Sequence, residues 1–139
     1  MKIFKSTLTD EVRSTIFGGF REYAIKKCGT AGVEEPISFY ITGADDNIIA
    51  AVVVQIFCGA LHIKYVWTRE DYRNKGYASK LMMEAFDFAK ASYCPFAVVE
   101  TMNFQAPDFY KKFGFKVELE RRGYSHGTSF YYMKKEFAQ

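Results

Sequence analysis

Val66-Trp67-Thr68-Arg69-Glu70-Asp71-Tyr72-Arg73-Asn74-Lys75-Gly76-Tyr77-Ala78-Ser79 is the stretch on which the reading of the whole chain turns. It starts as the tail of an apolar, β-branched run and ends where helical periodicity begins, so it joins a strand to a helix. Arg73 and Lys75 bring positive charge to the helix entrance, Gly76 permits close backbone approach, and Ala78 leaves room beside the Ser79 hydroxyl. Unpaired N–H groups at a helix N-terminus, together with the helix dipole, form an anion site. Side-chain cations add to it. A solvated basic turn has the same local composition, so the elements around the stretch must decide.

Upstream, Thr9 reads as an N-cap with Asp10 and Glu11 in the first turn of a helix. Val12, Ile16, Phe20 and Ala24 keep one apolar face, Gly18-Gly19 weakens the middle, and Lys26, Lys27 and Gly29 close the helix. After a loop carrying Glu34 and Glu35 come three strand patterns, Ile37 to Thr42, Ile48 to Cys58 and Leu61 to Thr68. The continuous apolar character of the second marks a central strand.

Downstream, Ala78 to Ala91 places Leu81, Met82, Ala85, Phe86 and Ala89 at helical spacing. Phe96 to Thr101 is a buried strand introduced by Pro95. Pro107 to Phe113 is a short helix with proline in its first turn and Gly114 past its end. Val117 and Leu119 alternate with charged neighbours, and Thr128 to Lys135 is a last aromatic strand. The expected fold is α/β (α+β): a mixed, mostly antiparallel central sheet with helices on both faces.

Composition narrows the function classes. A chain of 139 residues is one domain's length, expected to fold as a single domain over 1–139, and 49% hydrophobic content excludes disorder. The longest apolar stretch falls short of the ~20 residues a membrane helix needs. No export signal is legible at the N-terminus, so a cytoplasmic location is expected. Cys28, Cys58 and Cys94 form no CxxC pair, and His62 and His126 stand at no zinc-ligand spacing to them. No metal is expected, and the thiols should be reduced. A net charge of +3 suits an anionic cofactor and falls short of nucleic-acid density. Lys75-Gly76-Tyr77-Ala78 does fit the opening of an RNA-recognition signature, but Ser79, Lys80 and Leu81 do not continue it as an aromatic strand.

Two motifs in order carry a family resemblance. Arg73-x-x-Gly76-x-Ala78 resembles the Gln/Arg-x-x-Gly-x-Gly/Ala signature of the GCN5-related N-acetyltransferases (GNAT). Asn103-x-x-Ala106-x-x-x-Tyr110-x-x-Phe113-Gly114-Phe115 resembles that family's second block. The resemblance covers most of the chain from about Ile37 and departs only at Ala78, where glycine is commoner.

It implies an enzyme moving an acetyl group from acetyl-CoA to a primary amine by direct attack, the donor lying between two splayed strands. The pyrophosphate would sit on the backbone of Asn74 to Ser79, which includes Lys75, Gly76, Tyr77 and Ala78. The pantetheine arm would run along Val66, Trp67 and Thr68, with Asn103 as a further partner, and Tyr110 would protonate the leaving thiolate. The acceptor is a small-molecule amine or a protein amine; neither nucleic acid nor membrane is an expected partner. The fold suggests a homodimer, which no residue decides.

Amine attack needs a neutral amine, yet an alkylammonium with pKa ~10.4 is almost wholly protonated at pH 7. His62, on the strand leading to the cofactor loop, can take the proton directly or through water, which would give a pH–rate limb near ~6.5–7. Alternation would set His62, Lys64 and Val66 on one face. Glu100 on the adjacent strand is the second candidate for base or for holding the acceptor's ammonium, and the choice among His62, Glu100 and water stays open. The alternative of another class is a catalytically silent acyl-CoA-binding or partner-binding domain of the same fold.

Overall fold

The computed structural model describes residues 1–138 and divides the chain into two compact units, Met1–Gly32 and the remainder from Val33. The first unit is built on α1 (Asp10–Cys28). Thr9 caps it, its Oγ1 accepting the Val12 N–H at 3.2 Å. The other end closes on Gly29, whose φ of 80° lets its N–H reach Ile25 O at 2.9 Å. Acidic residues lead the helix and Lys26 and Lys27 trail it, which suits its dipole.

The second unit is a six-stranded sheet with two further helices. Its elements are β1 (Ile37–Thr42), β2 (Ile48–Phe57), β3 (Ala60–Thr68), α2 (Tyr77–Ala91), β4 (Phe96–Met102), α3 (Pro107–Lys111), β5 (Lys116–Arg121) and β6 (Phe130–Glu136). The order across the sheet is β1-β2-β3-β4-β6-β5. Every neighbouring pair is antiparallel except β3 and β4. The crossover between these two runs through α2, as a parallel pair requires.

One face of the sheet is packed by α2. Ala50, Val52, Val54, Ile56, Leu61, Ile63, Ala97 and Val99 meet Leu81, Met82, Ala85, Phe86 and Ala89 in one core. Each large side chain in it contributes roughly 1.5–3 kcal/mol on burial. Against this core α3 and β6 set a ring cluster in which Phe86 lies 5.6 Å from Phe113 and 5.7 Å from Phe137, centroid to centroid. Tyr110 lies 5.8 Å from Phe115 in the same cluster.

The alternation expected along β3 does not hold through its length. Val53 pairs with Tyr65 and Val54 with Ile63, so Lys64 is an extra residue in a bulge. The bulge turns Val66 toward the α2 core, whereas His62 lies on the other face, opposite in parity to buried Leu61 and Ile63. His62 and Val66 therefore face opposite ways. A second departure is that α3 ends at Lys111, sooner than its apolar pattern suggests. Phe113 and Gly114 continue as tight turns onto Tyr110 O and Lys111 O, and Gly114 takes a φ of 93°.

The end of α3 is held from β6. Lys135 donates its ammonium to Phe113 O and lies 5.4 Å from the centre of the Phe86 ring. Lys135→Met keeps the apolar stem and removes the donor, so the expected loss is about 1–3 kcal/mol of stability, read as a lowered urea midpoint.

Among the described residues no helix is long and apolar enough to cross a membrane. Nor does any cluster of three or more His, Cys, Asp or Glu there suit a metal ion. Cys28, Cys58 and Cys94 are free thiols, with Cys94 buried.

Candidate functional site

The site lies where β3 and β4 part. Their parallel pairing covers only Leu61–Ala97, His62–Val98 and Ile63–Val99; beyond it the strands make no ladder. The hydrogen-bond phase shows which groups are left free. Arg69 N–H donates to Ile49 O at 2.8 Å, so the residues of β3 that bond to β2 are the odd-numbered ones after the bulge. The N–H and C=O groups of Val66 and Thr68 therefore point away from β2, into the gap. Arg73 reaches back into it, its Nε donating to Thr68 O at 3.1 Å.

Beyond the strand, Arg69 grips Asp71 through two bonds of 2.7 and 2.9 Å and lies over the Tyr72 ring. That contact depresses the Asp71 carboxyl below its usual range, because the guanidinium donates to its charged form. The chain then turns through Asn74 at φ 62° and Gly76 at φ 81° into α2. Lys80 N–H is the first to find an intrahelical partner, Gly76 O at 3.1 Å. None of the N–H groups from Asn74 through Ser79 meets an acceptor among the described residues. A row of unpaired donors at a helix entrance is an anion cradle. Gly76 is needed here for its left-handed backbone, not for close packing, since a Cβ there would meet nothing within 4 Å.

Gap and cradle open into one cavity of about 760 Å³. Of the residues singled out in the sequence, Val66, Trp67, Thr68, Arg73, Asn74, Gly76, Tyr77, Ala78, Ser79 and Tyr110 line it. Lys75 does not; its ammonium lies 5.3 Å from the Tyr72 ring centre. Asn103 does not either. It pairs with Ser129, donating its N–H to Ser129 O at 2.9 Å and accepting the Ser129 N–H on Oδ1 at 3.2 Å. Lys75 to Ala78 forms the helix entrance and not a strand, which removes the RNA-signature reading of that tetrapeptide.

Tyr72, Gln105, Ala106, Phe109 and Lys112 also line the cavity and were not singled out as site residues from the sequence. Ala106, Phe109 and Tyr110 share one face of a helix, so their spacing held a signal. Tyr72 and Gln105 carry none in one dimension.

Tyr110 is 7% exposed, yet its hydroxyl has no hydrogen-bond partner and is not enclosed, so it opens to the cavity. Burial raises the phenol above its ordinary value of 10.0, which keeps the proton on oxygen. His62 and Glu100 do not line the cavity. By register both lie on the sheet face away from α2, His62 beside Val98 and Glu100 beside Tyr132. The His62 ring lies 5.3 Å from Phe57. Burial, then the Lys64 ammonium, lower its pKa below 6.5, while Glu100 pulls the other way. Glu34 stands at the far end of β2, its N–H on Ile56 O, remote from the cradle at the Ile49 end.

The relatives agree with this architecture. The blasticidin-S acetyltransferase of Streptomyces morookaense is 27% identical over 103 residues, 73% of this chain and 76% of that protein. The crystal structure of an acetyltransferase from Bacillus cereus superposes with a TM-score of 0.79 at 24% identity, covering 97% of this chain and 98% of the other. A Bacillus anthracis structure in complex with acetyl coenzyme A superposes with a TM-score of 0.66 at 22% identity, over 76% of this chain and 64% of that one. Residues 35–117 match the model of the acetyltransferase (GNAT) domain, a span that includes every residue lining the cavity, and the chain belongs to the GNAT acetyltransferase family.

Proposed function

We propose that the protein transfers an acetyl group from acetyl-CoA to a primary amine, with the donor in the β3–β4 gap and Tyr110 as the acid that protonates the leaving sulfur. The observation that carries this reading is the row of unpaired N–H groups from Asn74 to Ser79, all but Lys75 belonging to residues that line the same cavity as Tyr110. The row suits a pyrophosphate, and the free N–H and C=O of Val66 with the free N–H of Thr68 suit an amide-bearing chain lying as an added strand. Acetyl-CoA supplies an activated acyl carbon and a thiolate leaving group. Tyr110, kept protonated by burial, stands ready to donate to that sulfur.

The acceptor approaches from the sheet face opposite α2, where Glu100 holds its ammonium and His62 takes the proton. Neutral His62 at pH 7 follows from its lowered pKa. The acidic limb of the pH–rate profile is accordingly expected below 6.5, lower than the bare residue type suggests. In His62→Ala that limb should vanish; an unaltered profile would assign the base to Glu100 or water. The same shift bears on stability. Between the unfolded value near 6.5 and the lower native one the unfolded chain binds the extra proton, so His62's contribution is lost as pH falls through that window.

Calorimetric titration with acetyl-CoA, followed by thiol release over a panel of amines that includes blasticidin S, tests the reading. Saturable binding with amine-dependent release is expected. Binding without transfer to any amine would favour a silent acyl-CoA-binding domain.

A further inference from the structure

β4 carries its own edge into the gap, and a side chain covers it. Asn103 N–H donates to Ser129 O in phase with the β4–β6 ladder, so Met102, one residue earlier, turns its N–H toward β3. That N–H is taken by Gln105, whose Oε1 accepts it at 2.9 Å, while Gln105 N–H returns a bond to Met102 O at 3.0 Å. Thr101 Oγ1 lies at 3.5 Å from the same Oε1.

A backbone N–H can only donate, so the amide atom facing it must be oxygen. The orientation of the carboxamide is thereby fixed by chemistry, and its NH₂ group is turned away from β4. It has no acceptor among the described residues, and Gln105 lines the cavity next to Ala106, Phe109 and Tyr110. Across the gap stand the free N–H and C=O of Val66 and the N–H of Thr68, whose C=O is held by Arg73.

We infer that Gln105 is a positioning residue for the acyl donor: its NH₂ group donates to an amide carbonyl of the pantetheine arm, opposite Val66 and Thr68. The inference rests on the reading that the cavity takes acetyl-CoA. Met102 N–H cannot reach the ligand itself and acts through the carboxamide, which extends the β4 edge by one side chain. The nearby Asn103 uses its Oδ1 in the same way, on the Ser129 N–H, but it does not line the cavity and so is not placed for the same task.

Two variants and two ligands test it. Gln105→Glu keeps an oxygen for Met102 N–H and loses the donor. Gln105→Met removes the donor without adding charge. Each is titrated with acetyl-CoA and with adenosine 3′,5′-bisphosphate, which has the nucleotide end and no pantetheine arm. Loss of one hydrogen bond should weaken acetyl-CoA about tenfold in both variants. Affinity for the bisphosphate should stay at the wild-type level. Unchanged acetyl-CoA affinity, or equal loss on both ligands, would overturn the assignment of Gln105. Failure of the wild-type protein to bind acetyl-CoA at all would instead overturn the reading of the cavity, and the inference with it.

Discussion

Gly76→Glu is expected to abolish acetyl-CoA binding while the protein stays folded. At φ 81° any side chain is strained, by about 1–2 kcal/mol, but a Cβ there meets nothing within 4 Å and so forces no clash. The larger effect is electrostatic. A carboxylate about 4 Å from a phosphate costs on the order of 4 kcal/mol at an effective dielectric near 20. That corresponds to a loss in affinity on the order of 10³. Gly76→Ala separates the two causes, since it carries the strain without the charge. Titration calorimetry on both, beside thermal melts, should show modest weakening for alanine and none of the wild-type binding heat for glutamate. Equal affinities for the wild type and the glutamate variant would move the phosphate site away from the helix entrance.

Tyr110→Phe is expected to lower kcat by a factor on the order of 10²–10⁴ with little change in the KM for acetyl-CoA. The ring is buried among Phe109, Phe113 and Phe115, and phenylalanine preserves that packing. The hydroxyl has no protein partner, so its removal strands no buried polar group, and stability should hold within about 0.5 kcal/mol. A large fall in kcat with an unchanged melting curve would mark the phenol as the acid. Unchanged turnover would remove it from the mechanism.

Much of the architecture was legible in one dimension because it depends on local chemistry. Thr9 and Gly29 cap α1 where their side-chain oxygen and backbone freedom predict. The apolar spacing from Leu81 to Ala89 marks the buried face of α2, and Gly76 marks the turn that starts it. Boundaries shifted where tertiary bonds intervened. The Phe113 carbonyl is taken by Lys135 from β6, and α3 stops short of it.

Across the site the division is sharper. A helix entrance with glycine, cations and small residues is a property of adjacent residues, so the helix start and, through its spacing from the second motif, the family resemblance were legible in the sequence alone. What stands opposite the cradle depends on strands brought together from distant parts of the chain. Sequence periodicity assigns His62 and Val66 to one face, and only the pairing of β3 with β2 reveals the bulge at Lys64 that separates them. Asn103 and Gln105 are both amides near the end of β4, and nothing in their order says which faces the cavity. Ser129 N–H holds the Asn103 carboxamide outside the cavity lining, while the Gln105 carboxamide, held by Met102 N–H, lines the cavity. Local composition thus determined where unpaired donors gather, because backbone N–H groups at a helix start are unpaired by geometry. Tertiary structure decided which side chains face it, because a hydrogen-bonding group is available only once every neighbour has taken its partner.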